Sequence, residues 1–87
     1  MVSASGRRVL VAGGVGIDTI VRVPSLPLAQ RDSIHVPPVA DYVAHTGNGV
    51  ALGLLALGHR PRLIDFIGAG PPAELVHERY RERGLGF

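Results

Sequence analysis

Short apolar runs separated by glycine and proline breaks organise this chain. Val9-Leu10-Val11-Ala12 is continuously apolar and is closed by Gly13-Gly14. Such a run predicts a strand buried on both faces, as in a parallel sheet. Thr19 to Val23 is β-branched with Arg22 interleaved, which again predicts extended chain. Pro24 and Pro27 then break regular structure, and Pro37-Pro38 does so again after Ser33-Ile34-His35-Val36. Residues 19–46 therefore read as short strands joined by proline loops, a flap rather than a piece of core.

Gly47-Asn48-Gly49 opens the next element. Val50 to Leu57 is apolar on all sides, which predicts a buried helix, and Gly58 is placed to end it as a C′ glycine. Gly53 costs such a helix about 1 kcal/mol relative to alanine, and close approach to a sheet is its usual use. Arg62 to Ile67 predicts a second strand. Pro71-Pro72 opens a second helix, where proline is tolerated, and Gly84 closes it. Glu74 lies near its positive end, and Arg79, Arg81 and Arg83 lie in its last turns, where cations favour the dipole. Ala73, Val76 and Tyr80 share one face, while Glu78 is within reach of Arg81 on the other. The order is strand, flap, helix, strand, helix, which implies an α/β fold with parallel strands and a right-handed crossover. Residues 1–7 read as a tail, and there is no internal repeat.

Composition narrows the partners. With 87 residues the chain is one small domain or part of a larger one. A chain this short buries only about 60–65% of its unfolded surface, so its core is marginal. All nine basic residues are arginine, and the net charge is +2. They are scattered along the chain and form no basic stripe, which argues against nucleic acid as a partner. No cysteine and no lysine is present, so thiolate chemistry, a P-loop lysine and a Schiff base are excluded from this stretch. Arg7-Arg8 before an apolar run mimics a signal peptide. The glycines that follow, Asp18 and the lack of a cleavage site favour the first strand of a cytoplasmic protein. The run Val50 to Leu57 is far too short to span a membrane.

Four places could carry chemistry. Gly13-Gly14-Val15-Gly16 after a strand suggests dinucleotide binding, but that fingerprint needs a third glycine where Thr19 stands and a helix directly afterwards. Asp18 is expected at the carboxyl end of the first strand, the edge where open sheets bind ligands. There its carboxylate could accept hydrogen bonds from two sugar hydroxyls; a turn or capping aspartate is the plainer use. Gly47, Asn48 and Gly49 precede a helix, where bare amides favour anions or hydroxyl oxygens. An ordinary glycine turn with an asparagine cap fits the same residues. Gly68-Ala69-Gly70 opens the second helix, but Pro71 occupies the place where a catalytic carboxylate would be wanted. The histidines at 35, 45, 59 and 77 lie 10, 14 and 18 residues apart, which is not ligand spacing. His45 alone lies near a candidate site.

Taken together, these pieces resemble the start of a PfkB/ribokinase-like carbohydrate kinase, over residues 8–87. The resemblance rests on Gly14-Val15-Gly16-Ile17-Asp18, the proline segment Val23-Pro24-Ser25-Leu26-Pro27, and Thr46-Gly47-Asn48-Gly49-Val50-Ala51 running through Leu57-Gly58 to Ile67-Gly68. Two departures stand out. The family usually has asparagine where this chain has Gly49, with Asn48 one residue earlier. Its Gly-x-Asp-x-x-Gly helix start reads Gly68-Ala69-Gly70-Pro71-Pro72-Ala73 here, without the aspartate and the second glycine.

The resemblance implies a ribokinase-like, three-layer α/β fold with a small β lid over about 19–46. It implies a sugar or nucleoside substrate held by Asp18 and by the amides of Gly47, Asn48 and Gly49. ATP and Mg belong to the full-length family, and no catalytic residue or cofactor site is expected among these residues. The chain alone should thus be inactive. Two other functions fit the composition: a non-catalytic truncated module that self-associates through its lid or sheet edge, and a fragment of a nucleotide-binding oxidoreductase.

Overall fold

The computed structural model describes residues 6–87, so residues 1–5 of the expected tail lie outside the described part. Six elements follow one another: β1 (Arg8–Ala12), β2 (Gly16–Ile20), β3 (Ala40–Ala44), α1 (Thr46–Ala56), β4 (Arg60–Ile64) and α2 (Pro71–Arg83). β1 pairs with β4 in parallel, Arg8 opposite Arg60 and Ala12 opposite Ile64, with α1 in the crossover between them. β2 pairs with β3 antiparallel. After α2 the chain returns beside β4, where Gly86 bridges Arg62 in parallel and Leu63 donates its amide to the Gly86 carbonyl at 3.0 Å. The parallel α/β arrangement and the crossover helix are those expected from the order of elements.

Strand burial differs from expectation. β1 and β4 alternate, with Val9, Val11, Pro61 and Leu63 turned inward and Leu10 and Ile64 left 62% and 51% exposed. Both helices contribute to one cluster, in which Val11 and Leu63 meet Ala51 of α1 and Val76 and Tyr80 of α2. Within residues 6–87 that face of the small sheet is therefore covered and the Leu10–Ile64 face is bare. A continuous apolar run does not reveal which of its residues will find a cover.

The first helix corrects a second expectation. It starts at Thr46, so Gly47-Asn48-Gly49 forms its first turn rather than a loop before it. Only Gly47, Asn48 and Ala51 of this helix are buried, and Leu57, just beyond its end, is 69% exposed, so an all-round apolar pattern did not make it a buried helix. The close approach lies at Gly47 instead of Gly53. A Cβ on Gly47 would stand 2.5 Å from the carbonyl carbon of Gly13, whereas one on Gly53 would meet nothing within 4 Å. Gly58 ends the helix as expected, at φ 88°. The amides of Gly58 and His59 close back on the carbonyls of Leu55 and Leu54.

α2 follows the sequence closely. Pro71 and Pro72 stand in its first turn, Ala73, Val76 and Tyr80 are buried, and Gly84 stops it in the left-handed conformation at φ 70°. Among the described residues the ion pair on its surface is Arg79 with Glu82 at 3.3 Å, not Glu78 with Arg81. The lid is less regular than expected. Its two strands are Gly16–Ile20 and Ala40–Ala44, and no strand forms over residues 33–36. The molecule is extended: the radius of gyration is 16.8 Å, against about 12 Å for a compact chain of this length. Among the described residues no helix is long and apolar enough to cross a membrane.

Candidate functional site

Asp18 does not end the first strand. It lies in the middle of β2, one strand later, opposite Tyr42 of β3. The turn that carries the chain from β1 to β2 is tied to the end of β4, where the Val15 amide donates to Asp65 Oδ2 at 3.0 Å. Side chains alternate across a strand. Ile17 and Val43 turn to the core, so Gly16, Asp18 and Ile20 share the opposite face with Ala44, Tyr42 and Ala40. Beside this pair, Thr19 Oγ1 donates to Asp41 Oδ1 at 2.6 Å and locks the register.

His45 follows β3 directly and swings its ring over Gly16. A Cβ on Gly16 would fall 2.5 Å from His45 Cε1, so only glycine admits the ring there. The imidazole Nε2 lies 3.1 Å from Asp18 Oδ1, and both side chains are about half exposed. His45 holds this position at φ 82°, ψ 169°, a backbone region used almost only by glycine that costs a side-chain-bearing residue about 1–3 kcal/mol. Asp18, Tyr42 and His45 thus form an exposed polar and aromatic face on the outside of the β2–β3 sheet. A carboxylate, an imidazole and a phenol ring on one face can hold a polyol, the carboxylate by accepting from hydroxyls and the ring by lying against a sugar's C–H side.

The glycine-rich helix start has a different job from the expected one. The Asn48 amide donates to the Gly14 carbonyl at 3.2 Å and the Gly49 amide to the His45 carbonyl at 3.1 Å, so both are already used within the chain. The Asn48 side chain is buried, with Nδ2 donating to the Val43 carbonyl at 3.2 Å and Oδ1 accepting from the Tyr80 hydroxyl at 2.9 Å. Burial raises the Tyr80 hydroxyl pKa above its ordinary 10.0. Gly47 touches Gly13, which leaves Gly49 as the one residue of the three whose Cα faces open space. Asn48 is therefore a structural strut between lid and α2, and Gly49 is where a ligand has room.

Sequence reasoning did not single out Tyr42, and it placed His45 only near the site. Register and backbone torsion bring both to Asp18, and neither leaves a mark in a single sequence. An apolar cleft of about 510 Å³ lies alongside, lined by Gly16, Ile17, Phe66, Gly68, Pro72 and Val76. Gly68 and Ala69 of the glycine-rich loop line this cleft, whereas Gly70 at φ 114° and Pro71 form the cap and first turn of α2. His59 accepts the Arg7 amide and His77 packs edge-on to Phe87. Among the described residues no group of three His, Asp or Glu side chains gathers to hold a metal. Gly13 to Gly16 leads into β2 rather than a helix, which removes the dinucleotide-binding reading.

Over 79 residues the chain is 44% identical to the acarbose 7(IV)-phosphotransferase of an Actinoplanes species, a match covering 91% of this chain and 26% of that protein. Its fold superposes on a selenomethionine-labelled, microbiome-derived acarbose kinase with a TM-score of 0.82 and 44% identity, covering 97% of this chain and 28% of that one. The chain resembles acarbose kinases in sequence and in fold. No family model matches it. It spans about a quarter of the length of the relatives it matches.

Proposed function

We propose that these residues form the sugar-holding part of an ATP-dependent carbohydrate kinase of the PfkB type. The acceptor of the whole enzyme would be an oligosaccharide of the acarbose kind. The observation that carries this reading is the pairing of a 44% identical acarbose phosphotransferase with an exposed Asp18–Tyr42–His45 face, of which Asp18 is a residue where a sugar is expected. Asp18 accepts hydrogen bonds from ring hydroxyls, Tyr42 lies against the sugar, and the open space at Gly49 receives the rest.

ATP with Mg would supply the phosphoryl group and neutralise its charge. The residues present do not fit either of them: lysine is lacking, no acidic cluster gathers among the described residues, and the α2 start carries Pro71 in place of an acid. No step is therefore routed through them, and residues 1–87 alone are expected to bind without phosphorylating. A cytoplasmic location belongs to the same reading.

A second reading draws on the bare Leu10–Ile64 face and the fully exposed Phe66. There the chain is a non-catalytic module that pairs with its own copies through lid or sheet edge. Calorimetry with acarbose, maltose, ribose and adenosine, run beside light scattering, separates the two. Acarbose binding is expected. A folded chain that binds no sugar and only self-associates would overturn the kinase reading.

A further inference from the structure

His45 is an odd residue for its position. It precedes the first turn of α1 but makes no side-chain capping bond there. It is about half exposed, so it fills no core. Its φ of 82° with ψ of 169° is backbone geometry that glycine adopts without strain and histidine does not. A residue kept against its own backbone preference is held there by what its side chain does. Here two features point the same way. Gly16 leaves the space that the ring occupies, and Nε2 meets Asp18 Oδ1 at 3.1 Å.

We infer that His45 is a positioning residue for the ligand-binding carboxylate, fixing Asp18 through Oδ1 so that Oδ2 is kept for a ligand hydroxyl. The described residues offer Oδ2 no partner. The inference rests on the sugar-binding reading and names a determinant of it outside the glycine-rich motif. An exposed aspartate on a strand otherwise samples several rotamers, and each must be given up when a sugar binds. A ring clamped between Gly16 and Asp18 removes that disorder beforehand. Tyr42, directly across the ladder, bounds the same face from the other strand.

Strain and function then pull in opposite directions at one residue, and that makes the inference testable. His45→Gly removes the strain and the clamp together. The expected result is a melting temperature raised by about 4 °C or more, with acarbose affinity lowered about tenfold or more by calorimetry. His45→Gln sets an amide nitrogen near the place of the imidazole Nε2, and it should recover most of the lost affinity. A merely structural histidine would give the reverse: lower stability in His45→Gly and no change in affinity of the folded fraction. Unchanged acarbose binding in His45→Gly overturns the inference. So does a His45→Gln variant that folds but binds no better than His45→Gly.

Failure of the sugar reading itself looks different, because the wild-type chain would then bind no acarbose. In that event the ring ¹⁵N resonances of His45 decide. A proton held on Nε2 in wild type and released from that preference in Asp18→Ala supports the clamp. Identical ring resonances in the two proteins overturn it.

Discussion

Two polar pairs flank the start of α1, one through His45 and one through Asn48, and they stand in opposite surroundings. Asn48 and Tyr80 are both buried and joined at 2.9 Å. Asp18 and His45 are both about half exposed and joined at 3.1 Å. In the first pair every polar atom is matched by the protein itself, so the pair specifies how lid, α1 and α2 meet. In the second the described residues match only one carboxylate oxygen of a half-exposed aspartate. Exposed ion pairs contribute about 0–1 kcal/mol, whereas a buried polar group left unmatched costs about 1–3 kcal/mol. Burial, rather than residue type or proximity to a glycine motif, separates the strut from the proposed site.

The sharpest way to break the strut side is at its foundation. Gly47→Ala would drive a Cβ to 2.5 Å from the Gly13 carbonyl carbon and 2.8 Å from the Gly13 and Gly14 oxygens. All of these are backbone atoms, so no rotamer change relieves the clash. A loss of about 3 kcal/mol is expected, read as a large fall in the denaturation midpoint. Gly53→Ala is the control: it meets nothing within 4 Å and should stabilise the helix by up to about 1 kcal/mol.

Asn48→Ala comes next. It strands the Tyr80 hydroxyl and the Val43 carbonyl together, with an expected loss of about 2 kcal/mol in urea unfolding. Tyr80→Phe strands only Asn48 Oδ1 and should cost about 1 kcal/mol. Tyr80 also gives this pair a pH signature. Its folded-state pKa lies above 10.0 because burial opposes the phenolate. The stability it supplies is therefore complete below pH 10.0, its unfolded value, and is lost as pH rises through the higher folded value. Ultraviolet titration should show one tyrosine ionising late, and Tyr80→Phe should abolish that late step.

Of the strut, the helix α2 and its Tyr80 face were legible in the sequence, whereas Asn48 and Gly47 were expected to hold the sugar; of the proposed site, only Asp18 was singled out. Pro71 and Gly84 bound α2 where their backbone preferences put them, and the spacing of Ala73, Val76 and Tyr80 gave its buried face. β1 was visible as an apolar run, yet its exposed Leu10 was not, because a run of four apolar residues does not say how many sheet faces are covered. Gly53 looked like the contact glycine because it interrupts an apolar helix. Gly47 carries that contact, because the tight approach occurs where α1 meets the β1–β2 turn. Asp18 drew notice by its type and place after the glycines, although it lies within β2 rather than at the end of β1. Tyr42 and His45 joined it through ladder register and a single positive φ, and both are consequences of folding that local pattern does not encode.

The smallest expected change in stability belongs to Asp18→Ala, and there the comparison is tested most severely. Asp18 is exposed, contacts one exposed ring and sits on a strand whose register is held next door by Thr19 and Asp41. Removing it leaves no buried atom unmatched, and the strand keeps its ladder bonds to β3. Unfolding free energy should stay within about 0.5 kcal/mol of wild type, as for surface substitutions generally. Acarbose binding should nevertheless fall below detection, because the lost carboxylate would otherwise accept charge-assisted bonds from the sugar's hydroxyls. Asn48→Ala should behave in the converse way, unfolding earlier while its folded fraction still binds. Calorimetry and urea unfolding on the same two proteins decide the matter. If Asp18→Ala keeps wild-type affinity, or if it unfolds as easily as Asn48→Ala, the two pairs do not divide into site and strut.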